Sequence, residues 1–196
     1  MKRRCGIVAA LAVLSLVLWG CGMCKPVHRA PGKAAKFALR VSAGATEAYT
    51  DKAGNVWQAE KEYQKGGGFG FVVGQIVDRG AETKIEGTAD ARIYQTEHYL
   101  MTAFKAEVPN GKYSARLHFA ETNPKISKTP GGRVFNVTIQ GKTVLPDFEV
   151  LKAAGTGYKA LVKEFKGIEV TNGILEVGFV AKVQNPEING IEILSE

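Results

Sequence analysis

Residues 111–120 read Gly-Lys-Tyr-Ser-Ala-Arg-Leu-His-Phe-Ala and carry the clearest structural signal in the chain. Apolar side chains occupy every second position and polar ones stand between them: Tyr113, Ala115, Leu117 and Phe119 against Ser114, Arg116 and His118. Successive side chains of a strand point to opposite faces, so the alternation predicts a strand with an apolar face and a polar outer face. The dipeptide Asn110-Gly111 in front of it is typical of a hairpin turn.

The same pattern recurs along residues 37–196. Residues 135–139 and 175–179 alternate in the same way, and further extended segments are predicted at 37–41, 71–77, 100–108, 159–165 and 188–194. Glycine-containing turns separate them, at Gly131-Gly132, Gln140-Gly141, Lys166-Gly167 and Asn172-Gly173. No stretch keeps a helical period over three turns. Many short strands at regular spacing predict an all-β fold, a two-sheet antiparallel β-sandwich.

The net charge of +7 comes entirely from the N-terminal region. Seven basic residues and no acidic one precede Phe37, so residues 37–196 carry equal numbers of basic and acidic side chains. A domain that binds nucleic acid usually keeps a basic excess on the fold itself, to neutralise phosphates. We therefore expect no nucleic-acid partner.

The first 36 residues have the features of an export region. The basic residues Lys2, Arg3 and Arg4 precede an apolar run of twelve residues, 7–18, which is shorter than the ~20 residues of a membrane span. Residues 1–20 are therefore predicted to be a signal peptide. The run ends in Leu18-Trp19-Gly20-Cys21, which resembles the lipobox of bacterial lipoproteins and implies lipidation of Cys21.

This resemblance predicts an exported protein of the cell envelope, held to the membrane by a lipid on Cys21. Residues 21–36 contain prolines, a glycine and no apolar period, which is typical of a flexible tether. The alternative is ordinary cleavage near Gly20, which would give a periplasmic or secreted soluble protein. The pair Cys21 and Cys24 is too small a set for a structural zinc site, and residues 37–196 contain no cysteine.

Residues 37–196 offer no recognisable catalytic motif. His118 and Glu121 have the spacing of helical metal ligands, but on a strand residues three apart point to opposite faces. Glycoside hydrolysis needs two carboxylates that face each other across a cleft. The candidates are Asp90, Glu97, Glu121 and Asp147. Their spacing cannot establish such a pair. We expect no enzyme, no metal and no cofactor.

Aromatic residues close to glycines suggest a binding function instead. They are Trp57, Tyr63, Phe69, Phe71, Tyr94 and Tyr99. Aromatic faces stack on the C–H faces of sugar rings, which suits carbohydrate recognition. The alternative for each of them is a place in the hydrophobic core.

Seven sequence blocks, in family order, resemble malectin domains. The first two are Tyr49-Thr50-Asp51 with Gly54-Asn55 and Trp57, and Gly87-Thr88 with Asp90 and the run 93–97. The others lie at residues 108–113, 117–121, 133–137, 141–148 and 188–193. The resemblance implies a jelly-roll-like β-sandwich over residues 37–196 that binds oligosaccharide or polysaccharide and catalyses no reaction.

The resemblance also implies where a sugar would bind. The family positions carried over to this chain are Phe69, Tyr94, Tyr99, Asn123 and Gln184. Two departures concern this site: no aromatic pair follows Glu121, and Gln184 stands where the family has an aspartate. Tyr94 and Tyr99, five residues apart, can line one pocket only if the chain turns between them.

Two functions therefore remain open at the level of sequence. The first is a carbohydrate-binding module displayed on the cell envelope. The second is a module that contacts another envelope protein and has lost the sugar pocket, since one fold hosts many functions.

Replacement of Cys21 tests the predicted anchor. We expect Cys21→Ser to release the protein from the membrane fraction, because stable attachment needs the acyl chains on that residue. Cys24→Ser is the matched control and should stay membrane-bound. Mass spectrometry showing an unmodified Cys21, or a mature N-terminus elsewhere, would contradict the prediction.

Overall fold

The computed structural model describes residues 36–196. The predicted signal peptide, Cys21 and all but the last residue of the tether lie outside the described residues. Within residues 36–196 there is no helix long and apolar enough to cross a membrane.

The described chain consists of strands with two short helices. The strands are β1 (Ala38–Ser42), β2 (Tyr49–Thr50), β3 (Val56–Ala59), β4 (Phe69–Val72), β5 (Gln75–Asp78), β6 (Thr96–Tyr99), β7 (Ala103–Glu107), β8 (Gly111–Phe119), β9 (Val134–Ile139), β10 (Lys142–Phe148), β11 (Leu161–Val170), β12 (Ile174–Val183), β13 (Glu187–Ile188) and β14 (Gly190–Ser195). The helices are α1 (Arg92–Gln95) and α2 (Val150–Ala154).

The strands form three sheets. A six-stranded sheet has the order β11-β8-β14-β1-β3-β2, a five-stranded sheet the order β10-β9-β12-β7-β4, and a three-stranded sheet the order β13-β6-β5. The pairing is antiparallel except between β1 and β3. The sequence-based prediction of an all-β antiparallel sandwich is confirmed.

The apolar faces of the two larger sheets form one core. It joins Leu117 and Phe119 of β8 with Phe135 of β9, Val177 of β12 and Ile191 of β14, all buried. These are the alternating positions read from the sequence. A strand that buries every second side chain gains roughly 1.5–3 kcal/mol for each large apolar group, which fixes the register of the sheet.

The sequence-based strand at residues 71–77 is wrong in its continuity. The chain breaks there into β4 and β5, because Val73 and Gly74 both have positive φ. A side chain at Gly74 would collide with the imidazole of His98, so glycine is required at this corner. Leu100 also has a positive φ, so β7 starts at Ala103 and not at the predicted residue 100.

Both long edge strands are irregular. The pairing of β11 with β8 shifts register between Phe165 and Ile168, and the pairing of β10 with β9 shifts twice. Such bulges bend an edge strand and interrupt its row of hydrogen-bonding groups.

A second, smaller core lies beside the six-stranded sheet. It contains Trp57, Ile85, Ile93, Tyr94 and Ala120. The run from Asp51 to Trp57 closes it, because the Asp51 carboxylate accepts hydrogen bonds from Trp57 Nε1 at 3.0 Å, Asn55 N at 2.8 Å and Ala53 N at 3.0 Å. Desolvation raises the pKa of Asp51, but these donors outweigh it and lower the pKa from 3.8 to about 2.

Acid titration should therefore reveal the contribution of Asp51 to stability. A folded-state pKa below the unfolded value means that the contribution is present above pH ~4 and is lost as the pH falls towards ~2. We expect Asp51→Asn to lower stability at neutral pH and to flatten the acid side of the stability profile in chemical unfolding. Asp147→Asn, at an exposed position, is the control. Equal flattening in both variants would contradict the assignment.

Candidate functional site

Phe69 and Tyr94 lie in the interior, which corrects the expectation that their rings line an open binding surface. Phe69 is 7% exposed, packs beside Phe104 at 6.3 Å between ring centroids, and is covered by the Lys61 ammonium 4.4 Å above its ring. Tyr94 is 4% exposed and shares a hydrogen bond of 2.8 Å with His118 Nδ1. Neither ring offers a free face to a sugar.

The polar face of β8 is covered at Ser114 and His118, contrary to the sequence-based expectation of an outer polar face, while Arg116 between them stays partly exposed. His118 is buried between Tyr94 of α1 and Glu192 of β14, 3.1 Å from its Nε2. Trp57 meets the imidazole edge-on at a centroid distance of 5.0 Å. The smaller core therefore covers this part of the six-stranded sheet.

The chain does turn between Tyr94 and Tyr99, as their spacing requires for a shared pocket. Helix α1 ends at Gln95 and β6 starts at Thr96. The two rings nevertheless enter different surroundings. Tyr99 is half-buried, donates a hydrogen bond of 2.6 Å to Gln75 Oε1, and lies opposite Glu187 in the ladder of β6 and β13.

Asn123 and Gln184 line one groove, although they come from distant parts of the chain. The groove has a volume of about 500 Å³ and is completed by Lys125, Ile126, Thr129 and Gly132. Of the five predicted site residues, these two are brought together in this groove. We call it the 123/184 groove.

The loop on one side of the 123/184 groove is held by its own hydrogen bonds. The Asn123 carbonyl accepts from Ile126 N at 3.0 Å and Ser127 N at 2.8 Å, while Asn123 Oδ1 accepts from Lys125 N at 3.0 Å. Thr129 Oγ1 donates to the Lys125 carbonyl at 2.7 Å. These short-range bonds are typical of Asx and Ser/Thr turns, and they preorganise the rim.

Gln184 stands at the end of β12 in a left-handed conformation, with φ 57°. A positive φ costs a non-glycine residue of the order of 1 kcal/mol, so neighbouring contacts must hold it. One such contact is the hydrogen bond from Arg133 Nη1 to the Asn185 carbonyl. Arg133 is itself buried and bound to Glu121, 2.7 Å from Nε to Oε2.

The carboxylates considered for glycoside hydrolysis do not face a common cleft. Glu97 is buried and paired with Arg79 at 2.7 Å, and Glu121 is buried and paired with Arg133. Asp90 accepts hydrogen bonds from Tyr49 Oη and Lys52 N, each at 2.9 Å, and Asp147 pairs with Lys182 at the surface. None of the four lines the 123/184 groove.

Sequence reasoning missed the charged cluster next to this groove. It consists of Arg79, Glu97, Glu121, Arg133 and Glu187. The one available signal was Glu187 itself, an acidic residue at the entrance to an apolar strand segment. Among the described residues, no group of three or more His, Cys, Asp and Glu side chains could hold a metal ion.

A larger groove, of about 640 Å³, runs between β10 and β11. Its walls combine Val144, Phe165 and Ile168 with charged rim residues such as Lys142 and Glu169. It contains no residue predicted from the sequence as a ligand contact.

A match to the family model of the malectin domain extends over residues 37–191. This chain belongs to the malectin family. Residues 1–36 lie outside the match.

The matching curated relatives are much longer than this chain. A probable LRR receptor-like serine/threonine-protein kinase of Arabidopsis thaliana is 38% identical over 71 residues, which is 35% of this chain and 7% of that protein. Receptor-like protein 4 of the same plant is 37% identical over 78 residues, covering 39% of this chain and 12% of its own length.

Solved structures share the fold of this malectin domain. A β-glucuronidase of Bacteroides uniformis superposes with a TM-score of 0.72 at 23% identity, over 82% of this chain and 18% of that one. The plant receptor-like kinase FER, in complex with the peptide RALF23 and LLG2, gives a TM-score of 0.67 at 18% identity, over 82% and 48%. At this level of identity the similarity concerns the fold alone.

Substitution of the two tyrosines should separate core from surface. Tyr94→Ala should lower the free energy of unfolding by about 3–5 kcal/mol, because it empties a buried site. Tyr99→Ala should cost less than about 1.5 kcal/mol, mainly its hydrogen bond to Gln75. Chemical unfolding measures both. Similar losses for the two variants would contradict the burial difference.

Proposed function

We propose that the malectin domain of this chain is a non-catalytic carbohydrate-binding module that takes oligosaccharide or polysaccharide in the 123/184 groove. The observation that carries the proposal is that Asn123 and Gln184, which stand at sugar-contact positions of the family although their residue types differ from it, line one groove. Phe69 and Tyr94 are left out of the site because they are buried.

The groove has the chemistry that sugar hydroxyls require. Asn123 Oδ1 is engaged by Lys125 N, which leaves the Asn123 amide nitrogen as a donor towards the groove. Gln184 adds an exposed amide, Lys125 a cation and Thr129 a hydroxyl oxygen that still accepts. Ile126 supplies an apolar patch for the C–H face of a ring.

Tyr99 does not line the groove but is connected to the chain segment that carries Gln184. Glu187, which pairs with Tyr99 in the ladder, lies three residues after Gln184 in the chain. The Leu100 amide donates a hydrogen bond of 3.2 Å to the Pro186 carbonyl in the same segment. A half-buried tyrosine at this edge can add an aromatic contact of about 0.5–1.5 kcal/mol to a bound sugar. Without an aromatic pair after Glu121, the affinity rests mainly on hydrogen bonds.

Display on the cell envelope completes the proposal. A lipid on Cys21 would attach the chain to the membrane, and residues 21–36 would separate the domain from the lipid surface. Its partners are then a glycan in the envelope and the membrane itself.

Protein contact is the second candidate function, and the border of the groove favours it. Leu100 is 40% exposed and Val183 is 44% exposed, and both adjoin the segment that carries Gln184. Exposed apolar side chains beside a groove suit a peptide. The FER structure, which shares this fold, holds the peptide RALF23.

A glycan array probed with the full chain tests the proposal. We expect micromolar binding to at least one glycan, and a roughly five- to tenfold weaker Kd for each of Asn123→Ala, Gln184→Ala and Tyr99→Ala, since each removes about 1 kcal/mol of contact. Unfolding curves must show that the variants remain folded.

Matched controls use the same residue types outside the groove: Asn172→Ala, Gln140→Ala and Tyr63→Ala. These should bind as the unmodified chain does. The absence of glycan binding on the array favours the protein-contact function. An equal loss of affinity in the control variants would mean that the sugar site lies elsewhere.

A further inference from the structure

Glu187 is a buried carboxyl without a partner. It is 0% exposed, and neither of its oxygens has a hydrogen-bond partner within residues 36–196. It opens the two-residue strand β13, directly after the segment that carries Gln184. A buried polar group left unpaired costs about 1–3 kcal/mol, and a buried unpaired charge costs more.

Arg133 attracts Glu187 electrostatically, but none of the neighbouring cations donates a hydrogen bond to its carboxyl. Four charged groups act on it: Glu121 after β8, Arg133 before β9, Glu97 of β6 and Arg79 after β5. Arg133 is committed to Glu121 and Arg79 to Glu97, each at 2.7 Å. The ladder partners of β13, His98 and Tyr99, bond elsewhere, to Glu60 and Gln75.

Protonation therefore balances this cluster. Burial, followed by repulsion from Glu121, raises the pKa of Glu187 well above its usual value of 4.5, although Arg133 and Arg79 oppose the shift. With Glu187 neutral, two arginines balance two carboxylates. With Glu187 ionised, the buried cluster carries an uncompensated negative charge.

The same cluster holds the chain segment beside the groove. Arg133 donates to the Asn185 carbonyl, and the Leu100 amide donates to the Pro186 carbonyl. Ile188 and Glu187 pair with His98 and Tyr99 of β6. Because β13 has only two residues and begins with Glu187, opening this short segment would bring the Glu187 carboxyl into water.

We infer that Glu187 is a proton-dependent latch: its neutral carboxyl keeps residues 184–188 closed against β6, and loss of the proton releases that segment. The sign follows from linkage. A carboxyl whose folded pKa is raised binds its proton more tightly in the closed state, so closure weakens as the pH rises from ~4.5 to the raised pKa.

Amide hydrogen exchange of the full chain tests the latch. After correction for intrinsic exchange rates, the opening constant at Glu187, Ile188 and Leu100 should rise roughly tenfold per pH unit above pH ~4.5, and level off at the raised pKa. Glu187→Gln should remove this dependence. Glu176→Gln, at a half-exposed pair with Lys105, should keep it.

Two results would overturn the inference: a flat profile in the unmodified chain, or the same slope after Glu187→Gln. A third is identical slopes at Leu117 and Ile191 of the main sheet, which would mean global unfolding instead of local release.

A second measurement covers the case in which Glu187→Gln does not fold. With ¹³C-labelled glutamate carboxyls in the unmodified chain, one carboxyl should titrate well above 4.5, and the amide signals of residues 187–188 should shift with the same midpoint. The absence of such a carboxyl would also overturn the inference.

The latch has a consequence for the 123/184 groove, which rests on the proposed function. Affinity for a glycan found on the array should fall over the same pH interval, because Gln184 belongs to the released segment. The exchange measurement needs no glycan, so failure of the latch and failure of sugar binding are told apart.

Discussion

Strand β8 is buried on its apolar face and, at Ser114 and His118, on its polar face as well, and much of the fold follows from that constraint. One face builds the main core, and the other lies under α1 and the smaller core. A polar group taken out of water must find a partner inside the protein. His118 therefore needs both Tyr94 and Glu192, and Ala120, just past the strand, donates its amide to Asn189 Oδ1 at 2.5 Å.

Asn189 extends this constraint to the three-stranded sheet. Its amide nitrogen donates to the carbonyls of Tyr94 at 3.3 Å and Thr96 at 2.8 Å, at the junction of α1 and β6. This buried amide, together with contacts such as the hydrogen bond from Thr122 Oγ1 to Glu97 Oε2, joins the small sheet to the main sandwich. The same hydrogen-bond network therefore holds the core and positions the segment beside the groove.

The sequence was informative where one local pattern determines one structural outcome. Alternation at Leu117 and Phe119 identified core positions, because a strand has only two faces. It could not reveal that the second face, at His118, is covered by residues far away in the chain. The same limit explains Phe69 and Tyr94, since an aromatic beside glycines is equally compatible with a rim or a core. The cluster around Glu187 draws on four separate segments, so no spacing along the chain could show it, whereas Asn123 and Gln184 followed from family resemblance alone.

The irregular edge strands have a consequence for crowding. A long, regular edge is a template on which another chain can add a strand, and proteins that accumulate at high local concentration aggregate by this route. In β11 the register shift after Phe165 falls beside the charged residues Lys163, Glu164 and Lys166. The bulge interrupts the row of hydrogen-bonding groups, and the flanking charges further disfavour pairing with a second copy. The two long edges of the domain are therefore poor templates for sheet extension between crowded copies.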